Sequence, residues 1–173
     1  IIASKKLVQQ QMKKLGFNFE INTIDKNFIK FDKLNNKKIN LINIEYKFND
    51  CFEKISDKSN EYIKKSFDVG LKIIHQNKLS TFINGPISKK NFLKGKTLGI
   101  TEYLAKKTKD NTNVAMLIFN KKFSVSPLTT HLALKDVYKN ISKQKIYSHA
   151  KLINYFYKKK FNKKPKIAIT GLN

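Results

Sequence analysis

The chain has 173 residues, 40% of them hydrophobic, with 13 Phe and 7 Tyr, which is enough for one ordinary core or two small lobes and excludes a disordered tail. Its formal net charge of +24 comes from 36 basic residues against 12 acidic ones, and every basic residue is Lys. A patch built to read bases or grip phosphates bidentately uses Arg, and these lysines are spread along the whole chain with many Asn and Ile, so solvated faces account for the charge better than a nucleic-acid surface.

The elements follow in chain order. Ile1-Ile2-Ala3 reads as the end of a strand. Ser4 followed by KKLVQQQMKKLG predicts a capped helix that ends at Gly16, because Ser accepts from the first turn and Gly tolerates the left-handed exit. Phe17 to Ile24 alternates apolar and polar residues, and Ile39 to Tyr46 does so less cleanly; both read as strands, with a polar Asn/Lys loop between them.

From Ser56 to Asn77 the apolar residues Ile63, Phe67, Leu71 and Ile74 recur at helical spacing, with Gly70 placed to allow close packing on a sheet. Leu79 to Ile83 predicts a short buried strand that runs into the turn Asn84 to Lys89, where a Ser and a Lys could hold a phosphate or simply punctuate the chain. Thr101 opens a helix to Lys107, as a cap or as a hydroxyl for a ligand anion. The runs Asn113 to Phe119 and Phe123 to Leu128 are too closely joined to be parallel and should form an antiparallel hairpin. Ser142 to Lys160 predicts a longer helix with Ile146, Ala150, Ile153 and Tyr157 along its buried stripe, and Pro165 separates it from a final strand, Lys166 to Asn173. The alternation predicts an α/β fold: a mixed, mostly parallel twisted sheet flanked by helices. No linker or internal repeat marks a boundary inside the chain.

Cys51 is the single cysteine, so no internal disulfide forms and a reducing, cytoplasmic setting is expected. No apolar stretch approaches a membrane span. The start at Ile1 and the strand that stops at Gly171-Leu172-Asn173 lead us to expect an internal piece of a longer protein.

Three histidines are candidates for chemistry. His131 lies between the extended run ending Thr129-Thr130 and the start of a helix, where a ligand of an open α/β crevice would sit, although one imidazole makes no metal site. His75, at the end of the long helix, reads as a solvated or dipole-facing residue, and His149 as a satisfied core histidine. No GxGxxG, P-loop, nucleophile elbow or catalytic triad pattern is present.

Taken in order, Gly85-Pro86-Ile87-Ser88-Lys89, Gly99-Ile100-Thr101-Glu102-Tyr103-Leu104-Ala105, Met116-Leu117, Thr129-Thr130-His131-Leu132 with Asp136, and Gly171-Leu172-Asn173 resemble the 4-hydroxythreonine-4-phosphate dehydrogenase family of pyridoxine (vitamin B6) biosynthesis. The resemblance spans nearly the whole chain, which would amount to about half of such an enzyme. It implies a two-domain fold like that of isocitrate and isopropylmalate dehydrogenases, a homodimer with its active site at the subunit interface, NAD or NADP as cofactor, and a divalent metal (Zn, Mg or Co) held by three histidines. His131 would be the first of the three, with the other two and most of the nucleotide site beyond Asn173. It implies Thr101 as a substrate contact, and no catalytic residue is assigned. The family motif GHTE reads Gly99-Ile100-Thr101-Glu102 here, so a substrate-binding His is replaced by Ile. The reaction implied is oxidation and decarboxylation of 4-phosphooxy-threonine to 3-amino-2-oxopropyl phosphate. Ile100 keeps open a sister activity on a four-carbon sugar-acid phosphate such as erythronate or threonate 4-phosphate. A lysine-rich nucleic-acid-binding domain is the distant alternative.

Overall fold

The computed structural model describes residues 1–77, 79, 81–97, 99–108 and 114–171. The chain divides into two compact units, residues 1–94 and 95–173.

The first unit is built on a parallel sheet. Strand β1 (Ile2–Ala3) leads into helix α1 (Lys5–Leu15), followed by β2 (Ile21–Thr23) and β3 (Ile39–Asn43). The order is β1-β3-β2, with Ile2 paired to Ile42 and Ile21 to Ile39, all parallel. Leu41 and Ile42, adjacent on β3, are both buried, Leu41 completely. Burial on both faces is what a parallel strand covered by helices requires, and it explains why this segment alternates poorly in the sequence.

Helix α1 begins and ends as its sequence dictates. Ser4 accepts from the Leu7 N–H, and Gly16 adopts φ 72° and returns its own N–H to the last turn. Ser4 is 1% exposed, and its backbone N–H donates to the Tyr62 hydroxyl at 3.0 Å, which ties this helix start to helix α2 (Asn60–Gln76). A short helical turn, Asp57–Ser59, precedes α2, and the stripe that α2 buries is Phe67, Gly70 and Ile73. The expected stripe of Ile63, Phe67, Leu71 and Ile74 is therefore rotated toward Gly70, because the missing side chain lets the helix approach Ile2 of β1 and the Phe82 ring. Helix α3 (Lys89–Leu93) ends the unit, capped by Ser88.

Two expected strands here are shorter or absent. The run Phe17 to Ile24 pairs only from Ile21 to Thr23, and Phe17 and Phe19 are exposed and tilted against each other. Within Leu79 to Ile83, no described residue joins a strand; Ser80 lies outside the described residues. Phe82 packs on Phe67 with ring centroids 5.6 Å apart, while Ile83 is 89% exposed. A strand needs a neighbouring edge for its backbone groups, and the described residues provide none for this run.

The second unit contains helices α4 (Ile100–Thr108), α5 (Leu134–Val137) and α6 (Lys143–Phe161). Ser142 caps α6 by accepting from the Lys145 N–H, and the expected stripe of Ile146, Ala150, Ile153 and Tyr157 is its half-buried face. The two apolar runs meet antiparallel, as expected, but only through a bridge between Ile118 and Val125, whose backbone bonds measure 2.8 and 3.0 Å. Pro127 ends the ladder because it has no N–H to donate. The described sheet is thus wholly parallel rather than mixed. The segment Lys166 to Gly171 forms no strand, and Asn113, Leu172 and Asn173 lie outside the described residues. Among the described residues, no helix is long and apolar enough to cross a membrane.

Candidate metal and substrate site

In the second unit, Gly99 is buried at the start of α4, and its carbonyl accepts from the Tyr103 N–H at 3.1 Å. Leu98 lies outside the described residues. Ile100 is half-buried, and Thr101 is exposed within the first helical turn. Thr101 therefore does not cap the helix; that position falls to Gly99, and no hydrogen bond to a described residue engages the Thr101 hydroxyl.

The Thr129-Thr130-His131 segment comes to the same place. The Thr130 hydroxyl donates to Glu102 Oε1 at 3.5 Å. A Cβ built on Gly99 would lie 2.6 Å from Glu102 Oε2 and 3.6 Å from His131 Nε2, so the carboxylate and the imidazole both close over the bare face of that glycine. Glu102 Oε2 is buried and has no hydrogen-bond partner among the described residues. His131 itself is exposed and sits at φ 57°, a left-handed conformation rarely taken outside glycine, three residues before α5 begins.

The arrangement can contribute a single imidazole to a cation, with a carboxylate bordering the same space and an exposed hydroxyl in the first turn of α4. Among the described residues, no group of three or more His, Cys, Asp or Glu side chains gathers into a metal-binding set, so His131 would supply one corner of such a site. An exposed imidazole beside an orphaned buried carboxylate oxygen is chemistry that suits a divalent cation.

The other sequence candidates fall elsewhere. His75 is exposed in the last turn of α2. His149 is half-buried and lies 2.7 Å from Ser126 Oγ, which satisfies it. Burial lowers its pKa below the usual imidazole value, and Lys145 lowers it further. In the first unit, Ser88 is engaged with Asn91 as the α3 cap, and Lys89 is exposed. Pro86, Ile87 and Ser88 border a cavity of about 220 Å³ whose wall also includes Asp50, Glu53 and Lys54. The Ser88 hydroxyl is committed to Asn91, so the contacts of this segment are those of a turn leading into a helix cap.

Sequence reasoning gave no role to Gly99 or Glu102. The available signal was an acidic residue in the first turn directly after Gly-Ile-Thr, and it was masked by the commonness of acidic residues at helix starts.

The whole length, residues 1–173, matches the family model described as pyridoxal phosphate biosynthetic protein PdxA. A 4-hydroxythreonine-4-phosphate dehydrogenase from Sulfurihydrogenibium sp. (strain YO3AOP1) is 34% identical over 176 residues, covering 100% of this chain and 53% of that protein. One from Neisseria meningitidis serogroup A is 43% identical over 76 residues, covering 43% of this chain and 23% of that protein. A crystal structure of 4-hydroxythreonine-4-phosphate dehydrogenase from Klebsiella pneumoniae superimposes with a TM-score of 0.75 at 16% identity, over 91% of this chain and 49% of that one, and shares its fold. The chain spans about half the length of the first of these relatives.

Proposed function

Because the chain belongs to the family described as pyridoxal phosphate biosynthetic protein PdxA, we propose that it forms part of an NAD(P)-dependent, divalent-metal-dependent 4-hydroxythreonine-4-phosphate dehydrogenase. The substrate is 4-phosphooxy-threonine, and the product of oxidation and decarboxylation is 3-amino-2-oxopropyl phosphate. The enzyme is a cytoplasmic homodimer with the two-domain architecture of isocitrate and isopropylmalate dehydrogenases, and its partner is this small phosphorylated hydroxy acid rather than a nucleic acid or a membrane.

The observation that carries the reading is the convergence of Gly99, Glu102, Thr130 and His131, two separate sequence motifs meeting at one point. His131 would hold the metal together with ligands from outside this chain. Zn, Mg or Co bound there would supply a positive charge that lowers the pKa of the substrate hydroxyl and eases hydride departure to the nicotinamide. Thr101 presents an exposed hydroxyl in the first turn of α4, beside Glu102, to orient the substrate by hydrogen bonding. Ile100 can do neither of the things a histidine does for a phosphorylated ligand, since it neither donates a hydrogen bond nor carries charge. That residue favours a second reading, a sister dehydrogenase of erythronate or threonate 4-phosphate.

The test uses the complete protein that contains this chain. Reduction of NAD⁺ or NADP⁺ is followed with 4-phosphooxy-threonine and with erythronate 4-phosphate, each with divalent metal and with chelator. We expect metal-dependent turnover of the threonine derivative, abolished by His131→Ala while the circular dichroism spectrum is unchanged. Turnover of the sugar-acid phosphate alone would move the assignment to the sister activity. Full activity of His131→Ala would defeat the role given to that residue.

A further inference from the structure

Glu102 is part of the convergence above but was given no chemical role there, and one of its carboxylate oxygens is buried without a hydrogen-bond partner among the described residues. Leaving such an oxygen unpaired is costly, so the group needs a complement. The His131 ring borders the same space without being hydrogen-bonded to that oxygen in this structure. Its Nε2 and Glu102 Oε2 both border the space above Gly99, at 3.6 and 2.6 Å from the point a Cβ would occupy, and the absence of that Cβ is what leaves the room. The other carboxylate oxygen has a long, 3.5 Å contact from the hydroxyl of Thr130, the residue immediately before the histidine. The backbone at His131 is meanwhile forced to φ 57°, so the ring is placed where an unconstrained residue would not put it.

We propose that Glu102 is a positioning residue for His131: its carboxylate accepts a hydrogen bond from one imidazole nitrogen, which fixes the tautomer and leaves the other nitrogen for the metal. The proposal rests on the metal-binding role of His131 given above. Carboxylates that receive the second N–H of a ligating histidine raise its basicity and fix its ring, and losing one typically weakens metal affinity by roughly 10–100-fold. Gly99 belongs to the same device, since any side chain there would displace the carboxylate.

The competing explanation is that Glu102 serves only the helix, as an acidic residue in the first turn of α4. That role would alter thermal stability and leave metal binding untouched. The deciding experiment titrates Co²⁺ into the complete protein and follows both its dissociation constant and its visible absorption bands, for wild type, His131→Ala, Glu102→Gln and Thr130→Val. We expect His131→Ala to lose the site, and Glu102→Gln to keep the fold, bind Co²⁺ about ten-fold or more weakly, and shift the absorption bands. If His131→Ala loses the site but Glu102→Gln binds with wild-type affinity and spectrum, the positioning role is wrong and the metal reading stands. If His131→Ala binds like wild type, both are wrong. Should Glu102→Gln fail to fold, Thr130→Val decides in its place: weakened Co²⁺ binding supports the proposal, and unchanged binding overturns it.

Discussion

Ser126 Oγ and His149 Nε2 stand 2.7 Å apart, and the same serine hydroxyl donates to the Met116 carbonyl. A hydroxyl has one proton, so if it goes to Met116 the histidine must be the donor of the pair, which assigns the neutral ring a proton on Nε2. Protonating the ring then adds charge to a half-buried position beside Lys145, and its pKa is lowered, first by burial and then by that lysine. The folded state therefore takes up its proton at lower pH than the unfolded chain, whose imidazole titrates near pH ~6.5. Stability from this group is complete above that value and is lost as pH falls from it toward the lowered folded value. Urea denaturation at pH 8 and pH 5.5 should show a larger loss for wild type than for His149→Gln; equal losses would refute the assignment.

Gly70 sets the approach of α2 to the first unit's sheet. An added Cβ would overlap the Phe82 ring and stand 3.3 Å from Ile2 Cδ1, so Gly70→Ala should destabilise by about 1–3 kcal/mol through overpacking. Chemical denaturation measures this directly. Because the worst overlap is with one ring edge, Phe82→Leu should recover part of the loss when combined with Gly70→Ala. Strict additivity of the two substitutions would mean that the ring is not what the new methyl meets.

Ile100 departs from the motif it belongs to, and the departure is testable by reversal. It is half-buried at the first position of α4, one residue from Thr101. A histidine there could donate to a phosphate oxygen, an interaction worth about 1.5–3 kcal/mol when one partner is charged, so Ile100→His should lower KM for 4-phosphooxy-threonine by roughly ten-fold with a smaller change in kcat. An unchanged KM would show that other contacts already hold the phosphate.

What could be read from the sequence depended on whether the signal was local. The limits of α1 and α6 follow from Ser4, Gly16 and Ser142, each acting on the turn next to it, and the structure places them as expected. Strands were less legible, because a strand exists only where another edge meets it: Phe17 to Phe19 and the run containing Phe82 have strand-like composition but join no strand among the described residues, whereas Glu20 already gives its carbonyl to the Ile39 N–H. On α2 the close packing at Gly70 and the burial of Phe67 were legible, but the buried face runs through Ile73 rather than Leu71 and Ile74, because the approach at Gly70 decides which face meets the sheet. The same holds at the candidate site, where His131 and Thr101 stand out as residue types, while Gly99 and Glu102 matter only through where the fold brings them.

The left-handed backbone at His131 separates stability from function at one position. At φ 57° an L-residue carries a steric cost of roughly 1–2 kcal/mol that glycine does not. His131→Ala removes the imidazole and keeps that cost, whereas His131→Gly removes both, at the expense of a more flexible unfolded chain. Both variants should lose metal-dependent turnover, but the glycine variant should be the more stable of the two by about 1 kcal/mol in urea denaturation. If the alanine variant were equally stable, the backbone at 131 would not be under strain, and the argument that the surrounding fold forces this ring into place would lose its footing. If the glycine variant proves more stable than wild type as well, the histidine is held there against the preference of its own backbone, as expected of a residue retained for what its ring binds.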